Sequence, residues 1–407
     1  GFSALCAAVG GQVGAGSLVG VATALASGGP GAIFWMWMTA VLGMPISFTE
    51  AVLAQLFREK NPDGTYRGGP AYYMEKGLHN HLLSVLFSIS ILIGIGIFYC
   101  MIQSNSISAA LTGVVDVSPF FAGVCLLILV ALVIFGGIKR LAEVASLIVP
   151  FMALGYLAMA LYVVLTHFSM LPGMLETIFK SAFSLHSAAG GVAGYTMKEA
   201  FRYGVARGLF SNDAGNGTAP SMHATAVVPH PVNQGFAAML GTFITTIIIC
   251  SCTAFCILLS GQLGTGETGI ALTQVAFESN LGTVGRWIVF LAMFLFGFTT
   301  LLADIYYGEV NLMHLIKSPK AIQAYRLLCC VLIIVGAVAP VPVVWELVDF
   351  VSAFLVFFNV IALIGLSKFV VYILKDYAAQ WAKGKKPYWQ PDRDISQMDL
   401  TRSSDEQ

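Results

Sequence analysis

Ser211, Asn212, Asp213, Asn216 and Thr218 crowd five polar side chains into one short stretch of a chain that is otherwise strongly apolar. Gly208, Gly215 and Gly217 are interleaved with them and Pro220 follows. Polar and ionisable groups at membrane depth are costly, so a cluster of them is a candidate functional site. The plainer alternative is a hydrogen-bonding network that only joins two helical pieces. A second stretch, Gln12-Val13-Gly14-Ala15-Gly16-Ser17-Leu18-Val19-Gly20, answers the first. It too lies within an apolar segment and is a poor helix, because each Gly weakens a helix by about 0.5–1 kcal/mol relative to Ala. Gln12 and Ser17 are its only polar side chains, so backbone groups must supply most of its ligands.

A break of this kind cannot face lipid, where amide and carbonyl groups would be left without partners. It must face protein or a cavity, and there the half-helix ends offer N–H groups to an anion and carbonyls to a cation. Two interrupted apolar segments, one in each half of a chain, point to the binding site of a secondary transporter. The substrate cavity is therefore expected between Gln12, Gly14, Ala15, Gly16 and Ser17 on one side and Phe210, Ser211, Asn212 and Asp213 on the other. Half-helix N-termini would hold a carboxylate, Ser17, Ser211 or Asn212 an ammonium, and the Phe210 ring would limit side-chain size. Thr299 and Thr300 follow Gly297 in a third apolar run. Hydroxyls with unwound carbonyls suit a small hard cation such as Na⁺, so these two threonines with carbonyls near Val13 and Gly16 form the expected cation site. A threonine hydroxyl bonding its own helix is the alternative.

The elements that must carry these residues are membrane helices. Of 407 residues 57% are hydrophobic and 10% charged, against about 25% charged in a soluble domain. The net charge of zero argues against a nucleic-acid partner. The eight Cys sit in apolar runs without metal-ligand spacing, and no nucleotide-binding, protease or hydrolase motif occurs, so an enzyme is not expected. At about 20 apolar residues per span, about ten spans fit within residues 1–386, with a polar tail at 387–407 expected to be disordered. Basic residues occupy alternate loops, 58–81, 139–140, 317–326 and the tail after Lys368. That alternation predicts both ends of this chain in the cytoplasm. A short surface helix is expected at 271–278, and Glu50, Glu309 and Arg202 are expected near span ends; Arg207 is expected to pair with an acid inside the bundle. The two breaks open five-span sets, at about 1–167 and 193–376, separated by an odd number of spans, which is the inverted-repeat plan. The chain starts at Gly1 directly in an apolar span, so a leading segment is expected to be missing from it.

Several of these stretches together resemble the alanine/glycine:cation symporter family, the sodium:alanine symporters. The likeness rests on Val13-Gly14-Ala15-Gly16-Ser17 with 19–24, on 28–37, on Gly68-Gly69-Pro70-Ala71-Tyr72-Tyr73, and most of all on 202–215. It extends over nearly the whole chain. The resemblance implies an all-α polytopic membrane protein of the LeuT type, with five-plus-five inverted repeats and discontinuous first and sixth helices. It implies Na⁺- or H⁺-coupled symport of a small neutral amino acid, alanine or glycine, across a bacterial or archaeal cell membrane, with Na⁺ as coupling ion, lipid as surroundings and no organic cofactor. Three positions depart from the family pattern. Gly14-Ala15-Gly16-Ser17 stands for Gly-Thr-Gly-Asn, Asp213 for a Glu, and Asp304 for a Trp or an uncharged polar residue. A channel or a membrane sensor on the same fold is the competing expectation, although a channel would want a continuous polar stripe and the sequence offers two isolated clusters.

Overall fold

The computed structural model describes residues 2–184 and 196–390. The described chain is almost wholly helical. The first span is split into α1 (Phe2–Gln12) and α2 (Gly16–Gly28), bent by 47° at the break. Then come α3 (Gly31–Leu56), a two-residue hairpin of β1 (Glu59–Lys60) and β2 (Tyr66–Arg67), α4 (Pro70–Lys76) and α5 (His81–Thr112). The first half closes with α6 (Pro119–Ile134), α7 (Gly137–Thr166) and α8 (Leu171–Ala182). The second half runs α9 (Met197–Asn212), α10 (Ala219–His223), α11 (Pro231–Ser260), α12 (Gly269–Leu281), α13 (Val284–Leu315), α14 (Pro319–Val338) and α15 (Val341–Ala382). Seven of these helices are long and apolar enough to cross a membrane, and α1 with α2 makes an eighth. The two remaining expected spans are the 16-residue α6 and the interrupted α9–α10, both too short for that test but in the expected places.

Small residues let the central helices approach closely, the usual device of helix packing in lipid. A Cβ on Gly208 of α9 would lie 3.2 Å from the Met36 Cα of α3, and one on Gly204 would strike the Ala32 carbonyl. On the outside, Leu147, Phe151, Leu154, Leu161 and Leu165 of α7 are exposed at helical spacing. This apolar stripe is left uncovered by the described residues, as expected of a lipid-facing surface. At the hairpin, Glu59 is bound by Arg67 at 3.1 Å and Lys76 at 3.0 Å, which ties β1 and β2 to α4. Partial burial opposes ionisation of Glu59, yet the two cations hold its carboxyl below the usual carboxylate range.

Three expectations change. The helix expected on the surface at 271–278 spans Gly269–Leu281 and is a packed element: Leu272, Ala276 and Phe277 are fully buried. Glu50 lies deep in the bundle rather than at an interface, with 1% exposure. The tail does not lose structure at 387, since Trp389 is buried and bonded to the loop before α11. Residues 391–407 of that tail, and the 185–195 part of the less apolar connection between the halves, lie outside the described residues.

Candidate functional site

The first break arises because Gly10, Gly11, Gly14 and Gly16 sit where other groups must come close. A Cβ on Gly14 would lie 2.5 Å from Thr300 Oγ1 and 2.9 Å from Gln103 Oε1. One on Gly16 would lie 2.9 Å from the Phe210 ring and 3.0 Å from Ser211 Cα. The helix resumes through a π turn at Gly16–Gly20. The orphaned backbone groups are met from other elements: Ala15 N–H donates to Gln103 Oε1 at 2.9 Å, Thr253 donates to the Ser17 carbonyl at 2.7 Å, and Thr273 to the Leu18 carbonyl at 3.2 Å. Break and partners are thus one structure, as depth in a membrane demands.

The second break starts at Asp213, whose φ of 57° is left-handed, and continues through Gly215 at 90° and Gly217 at 80°. Glycine is the residue that tolerates such angles. Asn212 folds back so that its Oδ1 accepts from Ala214 N–H at 3.0 Å, and Asp213 Oδ1 accepts from Asn216 at 2.9 Å. Ser211 Oγ lies 2.9 Å from Cys250 Sγ. The two breaks touch directly: Gln12 Nε2 donates to the Asn212 carbonyl at 3.0 Å. Between them is a cavity of about 10 Å³, lined by Gly11, Gln12, Gly14 and Gly16 from the first break, Phe210 and Asp213 from the second, and Tyr99, Gln103 and Thr300. That is space for one water-sized centre.

Thr299 and Thr300 both reach the first break. Each hydroxyl donates to the Gly10 carbonyl, at 3.0 and 2.9 Å, and Thr299 also lies within bonding distance of the Leu295 and Phe296 carbonyls. Oxygens from α1 and α13 therefore converge, but on Gly10. Gly14 lies beside Thr300, while Gly16 faces Phe210 and Ser211 instead of the threonines. Among the described residues no group of three or more His, Cys, Asp or Glu could hold a metal ion. A cation here would be held by hydroxyls and carbonyls, the ligand set of a small hard ion.

A second cavity of about 410 Å³ lies on the other side of Phe210, with Arg202, Asp349 and Ser352 in its walls. Phe210 and Tyr99 line both cavities, their ring centroids 4.9 Å apart, and so form the partition. Trp345 packs on Phe210 at 4.9 Å, and the Arg207 guanidinium sits 4.5 Å over Trp345. Arg207 in turn makes a bidentate pair with Asp349, at 3.0 and 2.6 Å. The acid that pairs with Arg207 is thus on α15, but it is 45% exposed at the wall of the larger cavity rather than inside the bundle.

A profile of the sodium:alanine symporter family matches residues 1–391. The chain belongs to the sodium:alanine symporter family. It is 42% identical over 392 residues to the probable sodium/glutamine symporter GlnT of Bacillus subtilis, covering 96% of this chain and 81% of that protein. It is 37% identical over 381 residues to the sodium/alanine symporter AgcS of Methanococcus maripaludis, covering 91% and 82%. Among solved structures it is similar to MhsT in complex with L-phenylalanine, with a TM-score of 0.66, 13% identity and coverage of 94% and 92%. The fold is of the LeuT type, and this sodium:alanine symporter family member is a membrane transporter rather than an enzyme.

The candidate site of this sodium:alanine symporter family member holds residues that no motif in the sequence marks. Glu50 of α3 reaches the second break, its Oε1 accepting from Gly217 N–H at 3.1 Å and from Asn359 Nδ2. Asn359 of α15 also donates to the Gly215 carbonyl at 2.9 Å and accepts from Tyr73 of α4. Gln103 does the same service for the first break. A signal for Gln103 exists in the run Gln103-Ser104-Asn105-Ser106, four polar side chains inside a span. Asn359 is a lone amide in an apolar run. Of the predicted residues, Gln12, Gly14, Gly16, Phe210 and Asp213 line the small cavity. Ala15, Ser17, Ser211 and Asn212 support its walls through the bonds described, and Val13 N–H bonds the Val9 carbonyl at the end of α1. Asp304 is one turn beyond Thr300, 1% exposed, and its Oδ2 has no partner among the described residues.

Proposed function

We propose that this protein takes up a small neutral amino acid, alanine or glycine, together with Na⁺ or H⁺, by alternating access. The observation that carries the reading is the contact of the two broken spans, Gly16 against Phe210 and Ser211, around a cavity that Asp213 and Thr300 both line. As it stands the cavity has room for about one water, so substrate enters only as the two breaks part, and Phe210 and Tyr99, which close it, keep the opened space small. The substrate carboxylate is held at the start of α2, where a helix N-terminus favours an anion. The ammonium faces Asp213 and the polar groups of Ser17, Ser211 and Asn212. Na⁺ is held by the Thr299 and Thr300 hydroxyls with the carbonyls of the first break, Gly10 and Val13 among them. Binding at both breaks at once links ion to substrate, since each ligand steadies the backbone that the other uses.

The relatives, a sodium/alanine symporter and a probable sodium/glutamine symporter, support a neutral amino acid and sodium. The alternation of basic loops supports an orientation with both ends of this chain in the cytoplasm, in the cell membrane of a bacterium or archaeon. A channel fits less well, because the Phe210–Tyr99 partition interrupts the path between the two cavities. Uptake of labelled alanine and glycine into proteoliposomes, with an imposed Na⁺ gradient, an imposed proton gradient or neither, tests the proposal. Accumulation above the outside concentration with a gradient supports symport. Equilibration at the same rate under all three conditions contradicts it.

A further inference from the structure

The chain beyond α15 turns back on itself. Gly384, at a φ of 69°, makes the reversal, and Lys385 N–H bonds the Gln380 carbonyl at 3.1 Å. The side-chain amide of Gln380 then clasps the backbone of Tyr388 at both ends, accepting from its N–H at 2.9 Å and donating to its carbonyl at 3.1 Å. The same Gln380 nitrogen lies 2.7 Å from Asp376 Oδ2. Trp389 N–H donates to the Pro229 carbonyl at 2.8 Å, and the indole is 8% exposed, close to the imidazole of His230. His230, fully buried, meets Asp376 at 3.1 Å through Nε2, and its Nδ1 accepts from Val232 N–H at the start of α11. The segment 385–390 thus joins the end of α15 to the loop between α10 and α11.

That loop has a particular neighbour. Directly before it is α10, the second half of the broken span that lines the candidate site. α3 and the residues just after it hold the same stretch: Gln55 donates to the carbonyls of His223 and Ala226, and Arg58 to those of Ala224 and Ala226. Below it, a Cβ on Gly69 would lie 2.7 Å from Ser221 Oγ, so α10 rests against the segment that opens α4. Opening the cavity toward this side requires α10 and its loop to part from these supports. Residues 385–390, which lie outside every span, add a further tie to this loop.

We propose that 385–390 is a strap that restrains α10 and so slows opening of the site toward the side of the tail. The proposal rests on the alternating-access reading above. Loss of the strap shifts the population toward the open form without altering either break. Trp389 and Gln380 are the residues to change, since one anchors the strap to the loop and the other to α15.

The test uses the full chain carrying Ser221→Cys, with native cysteines shown silent toward an impermeant thiol reagent applied from the tail side. Ser221 is 1% exposed, so it labels only when α10 moves. Trp389→Ala and Gln380→Ala are each made on this background, with Lys375→Ala as a control on α15. Hydrogen exchange at the 388–389 amides reports the strap directly. In the unaltered chain those amides should be protected. Both variants should lose that protection and label Cys at 221 about five-fold faster, the population change that one net hydrogen bond makes. The control should match the parent. Gln380→Ala keeps the test alive if Trp389→Ala misfolds. Unprotected 388–389 amides in the unaltered chain, or freed straps with parental labelling rates, would overturn the proposal. Failure of gradient-driven uptake in the parent would instead count against the transport reading, leaving the labelling comparison intact.

Discussion

Glu50 and Gly217 are 167 residues apart, and the carboxylate of the first accepts the backbone N–H of the second at 3.1 Å. This bond crosses from α3 to the unwound stretch between α9 and α10, where a free N–H in a water-poor interior would be costly. Asn359 ties the same carboxylate to the Gly215 carbonyl, so one acid fixes both faces of the loop. Replacing Glu50 by Ala leaves Gly217 N–H unsatisfied, at a cost of about 1–3 kcal/mol. The expected outcome is a lower melting temperature in detergent and loss of uptake, while Glu50→Gln, which keeps an acceptor, retains most of both. Equal damage from the two substitutions would show that charge, and not the hydrogen bond, is what matters at this position.

Replacing Thr299 and Thr300 together by Val removes the two hydroxyls that meet at the Gly10 carbonyl while nearly keeping shape. The Na⁺ concentration for half-maximal uptake should rise about ten-fold, in line with loss of hydrogen-bonding groups on a charge. A Na⁺ titration of uptake in the double variant, normalised to the amount of protein inserted, measures it. An unchanged midpoint removes these threonines from the cation site.

Phe210 separates the two cavities and packs against both Tyr99 and Trp345. Phe210→Ala should therefore widen the range of accepted side chains. Apolar pockets distinguish one methylene by about 1–3 kcal/mol, so a shift of roughly ten-fold toward larger neutral amino acids is expected. A competition panel against labelled alanine reads this directly, and an unaltered size profile would place the substrate elsewhere.

The proposed orientation is tested by two exposed loop positions. A cysteine replacing Glu267, in the loop before α12, should react from outside intact cells, and one replacing Asp63, at the tip of the hairpin, should not. Five expected spans separate the two positions, so labelling of both from the same side would overturn that odd count.

Much of this architecture was legible because membrane depth makes local sequence informative. A run such as Gly14-Ala15-Gly16-Ser17 weakens a helix, and a break at that depth cannot face lipid, so the interruption of the first span was legible from the residues alone. Thr299 and Thr300 were legible for the same reason, as hydroxyls beside a glycine in an apolar run. Their true target was not: the helix rotates them toward Gly10, while Gly16 is taken up by Phe210. Nor was the depth of Glu50, since a span's end in sequence does not fix where the membrane surface falls when the helix continues toward a packed loop. The burial of α12 escaped notice because its partners are distant in sequence: Phe277 stacks on Tyr156 of α7 with ring centroids 6.1 Å apart, and Thr273 donates to the Leu18 carbonyl. The polar run 103–106 marks Gln103, but nothing local names Ala15 as its partner.

The central claim is that the two broken spans form one site, and equilibrium binding to the purified protein tests it most directly. Labelled alanine is bound in saturating Na⁺ by the parent, by Gly16→Leu and by Gly155→Leu. Gly155 has open space where a side chain would go, whereas any Cβ at Gly16 meets Phe210 and Ser211. The account predicts that Gly155→Leu binds like the parent and that Gly16→Leu, folded by the same thermal criterion, binds nothing measurable. Binding by folded Gly16→Leu at the parental affinity would contradict it.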